Sequence, residues 1–330
     1  MSKRPRKKKT LEDYIEIAQS NQKYCVTCQP FEAGECIWVR GVQYSMPDFL
    51  GELNIPERFQ DQVARGLTCS TCGAELDITC DVGMPTEDEL NEERLWNSWY
   101  DTYSPRFEEF AKHLESYPYL GLLHPLGTEI VKEIKTLSKE QLPSRRWYRA
   151  RKVEDSRLLS TSDLYPPDPK IVAIPEGRYN HFGQQVFYLS DTKENAAREI
   201  LGKSGGLTWV QEFELKDLSN IALLCKDFLD TDDISELLFG LAYTNVLARP
   251  VERAAGWKPE YFVPRFISDC LKHEGYMGIL FRSPHHYGEN LVLFEYKKDH
   301  ISHIADPSLV TLSEEKTPEN LFGQLPAVDF

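Results

Sequence analysis

Arg178, Tyr188 and Glu199 stand ten and eleven residues apart in 175-PEGRYNHFGQQVFYLSDTKENAAREIL-201. An arginine can grip a phosphate with two parallel N–H donors, an aromatic ring can stack on a base, and a carboxylate can face a developing cation. Together these three suit chemistry on a nucleotide glycoside. A hairpin packed on a helix with a surface Glu–Arg pair would explain the same residues without chemistry.

The elements that must position them follow from the local pattern. Gly177, Asn180 and Gly183 mark a loop. Gln185 to Leu189 then predicts a short strand, with Val186 and Tyr188 on one face and Phe187 and Leu189 on the other. Asp191 followed by Glu194 is a capping-box pattern, which predicts a helix from Thr192 with Glu199 on its second turn.

This segment resembles the core of the RES-domain family, bacterial NAD-consuming proteins named for Arg, Glu and Ser, some of them toxins with paired antitoxins. Gly177-Arg178-Tyr179 matches the family's Gly-Arg-aromatic turn, Tyr188 its strand tyrosine and Glu199 its helix glutamate. The downstream block 276-YMGILFRSPHHYGENLVLFEY-296 resembles the family's closing segment, with Ser283 as the serine and Asn290 opening the last strand. The likeness covers roughly residues 143 to 305, about half the chain.

The resemblance implies an α+β, ADP-ribosyltransferase-like mixed-sheet domain that cleaves the nicotinamide–ribose bond of NAD+. It implies catalytic roles for Arg178, Tyr188, Glu199 and Ser283, and substrate contacts from Arg149, Arg178, Tyr188 and Asn290. Arg149 lies on the first predicted strand, 146-RWYRARKVED-155, where related folds place a phosphate-binding arginine; Arg151 on the same strand face is the alternative. The acceptor stays open between inorganic phosphate as co-substrate, water and a protein side chain. An inactive NAD-binding adaptor is the reading from a different class. An antitoxin or other inhibitory protein and a homodimer are the partners the resemblance and the helical stretch bring into view. His285 and His286 follow Ser283, but loop histidines beside a turn are more often incidental.

The cysteines carry a second signal. Six of the eight fall between residues 25 and 80, as Cys25-x2-Cys28-x7-Cys36 and Cys69-x2-Cys72-x7-Cys80. Each CxxC can turn both thiolates toward one ion, so Cys25, Cys28, Cys69 and Cys72 are the candidate ligands of a structural Zn2+. Cys36 and Cys80 either back the knuckles or hold a second ion. Between the knuckles, 56-PERFQDQVARGL-67 predicts a short helix that starts at Pro and ends beside Gly. Cys225 and Cys270 sit in apolar surroundings and are expected in the core.

The expected organisation is a disordered basic tail over 1–12, a zinc-binding region over 13–83, a helical region over 84–142 and the catalytic domain over 143–330. Apolar residues three and four apart from Leu95 to Leu114 predict the helices, with Pro105 splitting or starting the second. A formal net charge of −14 argues against broad nucleic-acid binding, although Lys3 to Lys9 run against that trend. The longest apolar candidate, 237-LLFGLAY-243, is a third of a membrane span, and the basic N-terminus lacks a signal-peptide apolar segment. The expected compartment is the cytoplasm.

Overall fold

The structure, a computed structural model, describes residues 9–153, 158–216, 218–225, 234–244, 246–247, 257–283, 288–296 and 300–314. The chain divides into two compact units, Met1–Arg94 and Leu95–Phe330. That division differs from the expected boundaries near 83 and 142, because the helical residues from Trp96 onward share a core with the large sheet. Trp99, Phe107, Phe110, Leu114, Leu126, Ile130 and Ile134 pack in one cluster with Tyr179, Ile279 and Val292.

In the first unit, helix α1 (Leu11–Asn21) starts at Thr10, whose side chain and that of Asp13 close a capping box. The helix therefore begins inside the stretch expected as tail, and residues 1–8 of that stretch lie outside the described residues. Strands β1 (Tyr24–Cys25), β4 (Val42–Ser45) and β5 (Asp81–Met84) form a three-stranded sheet with β5 in the centre, and β2 (Phe31–Glu32) pairs with β3 (Glu35–Cys36). Helices α2 (Met46–Glu52) and α3 (Glu57–Arg65) close a small core with Phe49, Leu50, Val63 and Ala64 fully buried. Pro56 and Gly66 bound α3, as the sequence predicts.

Helix α4 (Glu87–Ser98) continues through a π-turn at Trp99–Tyr103 into α5 (Ser104–Ser116). Pro105 occupies the first turn of α5, directly after the π-turn, so it starts the second helix without breaking the path. Helix α6 (Pro125–Thr136) follows, capped by the His124 ring.

The rest of the second unit is a nine-stranded sheet. Its strands are β6 (Glu140–Leu142), β7 (Arg145–Lys152), β8 (Phe187–Ser190), β9 (Gly206–Leu215), β10 (Leu218–Leu224), β11 (Gly278–Arg282), β12 (Glu289–Leu293), β13 (Ile301–His303) and β14 (Ser308–Leu312). The order is β13-β9-β7-β8-β12-β11-β10-β6, with β14 also on β9. Only the β10–β11 pair is parallel among the described strands. This mixed sheet with helices α7 (Thr161–Leu164), α8 (Lys193–Leu201), α9 (Glu236–Tyr243) and α10 (Phe262–His273) makes the domain α+β, as expected.

The sheet carries a separate core on each face. Tyr188 and Val292 face the core built from α5, α6, α9 and α10, whereas Phe187, Leu189, Leu291 and Leu293 face the other, with Trp147 and Phe213. Period-two alternation along β8 and β12 produces this split. No helix among the described residues is long and apolar enough to cross a membrane.

Candidate active site

Glu199 is carried by α8, whose N-cap is Thr192: its hydroxyl accepts from the Asn195 amide at 3.0 Å. The cap falls one residue later than the Asp191–Glu194 pattern predicts, because the Asp191 carboxylate instead accepts from Asn195 Nδ2 at 2.9 Å. Ala196 and Ala197 pack on Ala150 and Val210, and these small side chains let α8 lie close on the sheet. Glu199 is on the second turn, half-buried.

One oxygen of Glu199 collects two hydrogen bonds. Ser283 Oγ donates to Oε1 at 2.6 Å and Asn290 Nδ2 donates to the same atom at 2.7 Å. Ser283 follows the end of β11 and Asn290 lies in β12, which pairs antiparallel with it. The Asn290 amide has its orientation fixed from behind. Ser190 Oγ donates to Asn290 Oδ1 at 2.7 Å, and Asn195 Nδ2 lies 3.4 Å from the same oxygen. With its oxygen occupied as acceptor, the amide presents its N–H group to Glu199. Ser190, Asn195, Ser283 and Asn290 are all buried, so the bonds to the Asn290 oxygen run where water does not compete. Gly288 permits the approach: a Cβ there would stand 2.7 Å from Asp191 Oδ1.

Arg178 sits in a tight turn in which the Gly177 amide donates to the Asn180 carbonyl at 3.0 Å. A Cβ on Gly177 would meet the Tyr188 hydroxyl at 2.7 Å, so glycine is required by close approach. Tyr188 Oη accepts from the Tyr179 amide at 2.9 Å and donates to Asn180 Oδ1 at 3.0 Å. Burial pushes the Tyr188 phenol far above the usual tyrosine range, against a smaller opposing pull from the Tyr179 amide, so it works as a neutral hydroxyl. The Arg178 side chain is 9% exposed; its guanidinium lies 5.0 Å over the Tyr261 ring, and Nη1 donates to the Leu247 carbonyl at 3.3 Å. Tyr179, wholly buried, lies within electrostatic reach of both Arg178 and Glu199.

Of the residues expected at the site, Glu199, Ser283 and Asn290 meet directly, while Arg178 and Tyr188 form the adjoining turn and its support. Tyr188 spends its hydroxyl on that turn. Arg149 does not join them. Tyr148 pairs with Ser190, so Tyr148 shares the face of Tyr188 and Asn290, and odd-numbered Arg149 and Arg151 point to the opposite face of the sheet. Arg149 lies 5.2 Å over the Phe187 ring there, with Nη1 shielded and without a hydrogen-bond partner among the described residues, and burial lowers its pKa to about 10. His285 and His286 lie outside the described residues, and Arg282 is exposed.

The sequence reasoning missed Ser190 and Asn195, although the signal was present. Ser190 is two residues past Tyr188 on one strand face, and Asn195 is four before Glu199 on one helix face. Arg265 and Ser268 on α10 were missed without such a signal.

In the first unit, the Sγ atoms of Cys25, Cys28, Cys69 and Cys72 all lie within 4.8 Å of one another. Cys25 and Cys72 are 3.5 Å apart, Cys28 and Cys69 3.5 Å, and Cys25 and Cys28 3.9 Å. A tetrahedron with Zn–S arms of ~2.3 Å has edges of about 3.8 Å, so the four sulfurs fit a zinc ion. The second knuckle closes through the Gly73 amide on the Cys69 carbonyl at 2.8 Å, with Gly73 at φ +75°. Burial raises the Cys25 and Cys28 thiols, whereas at Cys69 it is outweighed by the Cys72 and Thr71 amides, which lower that thiol. Cys36 and Cys80 stand outside this group; Cys80 reaches Asp77 Oδ1 at 3.5 Å. Cys225 and Cys270 are buried in the core, as expected.

The second unit is thus an α+β domain in which a half-buried carboxylate is held by a buried serine and asparagine beside an arginine turn. Residues 146–315 match the RES domain family, and the chain belongs to it. A chain in the crystal structure of the MbcT–MbcA toxin–antitoxin complex of M. tuberculosis is similar at 11% identity, over 56% of this chain and 92% of that one, with a TM-score of 0.32. No curated protein matches.

Proposed function

We propose that the second unit consumes NAD+ by breaking the bond between ribose C1′ and the nicotinamide nitrogen. The observation that supports this best is the pair of donors on one Glu199 oxygen, which holds the carboxylate in a fixed position while its second oxygen has no hydrogen-bond partner among the described residues. Nicotinamide leaves with the bonding electron pair and becomes neutral, so no acid has to protonate it. The barrier lies in the positive charge that grows on C1′ and the ring oxygen. A carboxylate held beside that carbon stabilises the transition state more than the ground state, because the charge is not there until the bond stretches.

Arg178 takes the phosphates in this reading. Its burial against Tyr261 orients the guanidinium and lowers the entropy lost on binding. Ser283 acts on Glu199 and, through it, on the ribose hydroxyls, and Asn290 fixes the remaining geometry. Tyr188 shapes the turn. The acceptor then bonds to C1′: phosphate gives an ADP-ribosyl phosphate, and water gives ADP-ribose with release of a proton. The four cysteines would hold Zn2+ as a structural ion in the first unit, with no part in the reaction.

The test is nicotinamide release from NAD+ by the purified chain, with and without inorganic phosphate, beside Glu199→Ala. Release that requires phosphate and is lost in the variant supports a phosphorylase; release without phosphate supports a glycohydrolase. Intact NAD+ with every acceptor, including added protein, overturns the proposal. On family membership we extend it to a growth-control effector held in check by an inhibitory protein, for which expression of the wild type should arrest growth and Glu199→Ala should not.

A further inference from the structure

Arg265 and Ser268 are three residues apart on α10 and therefore share one face of it. Arg265 Nε donates to the Gly177 carbonyl at 2.8 Å, and Ser268 Oγ donates to the Tyr179 carbonyl at 2.9 Å. Those two carbonyls belong to the residues on either side of Arg178. Arg265 also pairs through Nη1 with Glu176 at 2.9 Å, so its fork spans the residues just before Arg178. The turn is thereby held from α10 through its carbonyls and from β8 through Tyr188 on the Tyr179 amide.

Arg265 is 4% exposed, and its Nη2 is buried without a hydrogen-bond partner among the described residues. Burying a guanidinium this deeply is costly, and an apolar side chain would fill the same space at less cost if packing were its whole task. Its ring contacts point to the same turn. Tyr261 lies under Arg178 at 5.0 Å and under Arg265 at 5.6 Å, so one ring serves both guanidiniums. On its other side α10 is seated by residues that precede the family match. Phe266 meets Phe110 edge-on at 5.1 Å, and a Cβ on Gly121 would stand 2.5 Å from the Phe266 ring.

We infer that α10 is the positioning element of the Arg178 turn, and that Arg265 and Ser268 set the reach of Arg178 toward its ligand by fixing the carbonyls on either side of it. The inference rests on the reading above in that Arg178 holds the phosphates of NAD+. Arg265 and Ser268 act through Arg178 and are positioning residues.

The test combines Ser268→Ala and Arg265→Lys with two readouts. The first is amide hydrogen exchange in the full chain, which needs no activity. Faster exchange over 177–180 with unchanged exchange over α8 is expected; unaltered exchange over 177–180 in both variants overturns the inference. The second is NAD+ kinetics. A looser phosphate grip should raise KM about tenfold while kcat changes by less than about threefold. A lower melting temperature with unchanged KM would assign both residues to stability alone and overturn the inference. Should Arg265→Lys fail to fold, Ser268→Ala decides it. A wild type that leaves NAD+ intact would sink the NAD+ reading, while the exchange result would still decide whether α10 positions the turn.

Discussion

Asn290 and Glu199, 91 residues apart in the chain, are joined by a 2.7 Å hydrogen bond that fixes which way the Glu199 carboxyl faces. The bond exists because Ser190 occupies the other end of the Asn290 amide. A strand residue, its cross-strand partner and a helix residue thus determine one carboxyl orientation, all on regular elements that pack tightly.

Asn290→Asp is the sharpest probe of that arrangement. It keeps the shape but replaces the donor by a carboxylate facing Glu199. Loss of the bond inside a buried cluster should cost about 1–3 kcal/mol of stability. Losing the fixed carboxyl orientation should slow nicotinamide release about a hundredfold. Thermal melts and initial rates check the two effects separately, and a variant as active as the wild type would remove Asn290 from the site.

Tyr188→Phe tests the turn. The phenol accepts one buried hydrogen bond and donates another, and phenylalanine leaves the Tyr179 amide and Asn180 Oδ1 without their partner. The expected loss is about 1–3 kcal/mol in denaturant unfolding. A variant with an unchanged unfolding midpoint would show that the turn holds without the hydroxyl.

Much of this cluster is legible in the sequence because it is local. The turn, β8 and α8 follow one another within 25 residues, and period two along β8 with the second-turn position of Glu199 place Tyr188 and Glu199 on their elements. What pattern cannot supply is which sheet face holds the ligand. Arg149 was expected at the site because it is on the right strand; it lies on the opposite face because Tyr148 is the residue paired with Ser190. Arg265 and Ser268 were illegible for a related reason. Their partners are backbone carbonyls 88 and 89 residues away, and a carbonyl leaves no trace in residue identity. The expected boundary near 142 failed to mark a compact unit because α5 and α6 bury their apolar stripes on the same core as the sheet.

Gly240→Ala sets two effects against each other. Glycine in the middle of α9 disfavours the helix by roughly 1 kcal/mol relative to alanine. Packing decides the sign, because a Cβ at Gly240 would fall within the Trp99 ring, which is 1% exposed and stacks on Tyr103. Overpacking costs about 1–3 kcal/mol or more. The melting temperature should therefore fall; a rise would mean the ring moves aside freely.

Tyr103 gives a pH dependence with a defined sign. Burial and the Glu129 carboxylate, which accepts its hydroxyl at 2.9 Å, raise its pKa from 10.0 to about 12. Between those values the unfolded chain binds fewer protons than the folded one, so stability is fully present below pH 10 and is lost as pH rises toward 12. Denaturant melts across this window should show the decline, and Tyr103→Phe should reduce its slope. An equal slope in the variant would assign the decline to other groups.

Metal removal addresses the first unit. Its core is small, with the three helices α1 to α3 and a three-stranded sheet, and β1 is only two residues long. An ion held by the four thiols would tie the two knuckles together and add its binding free energy to the stability of this unit. The purified chain should carry about one equivalent of zinc, and Cys69→Ser should lose it. Cys36→Ser and Cys80→Ser should retain it, since neither sulfur belongs to the four-thiol group. Chelation should then speed amide exchange over β1 and β5 while leaving β8 and β12 protected, because the two stretches belong to separate compact units. Two equivalents of metal, with one lost in Cys36→Ser, would instead give Cys36 a ligand role of its own. Retention of zinc by Cys69→Ser would move the site away from the four thiols altogether.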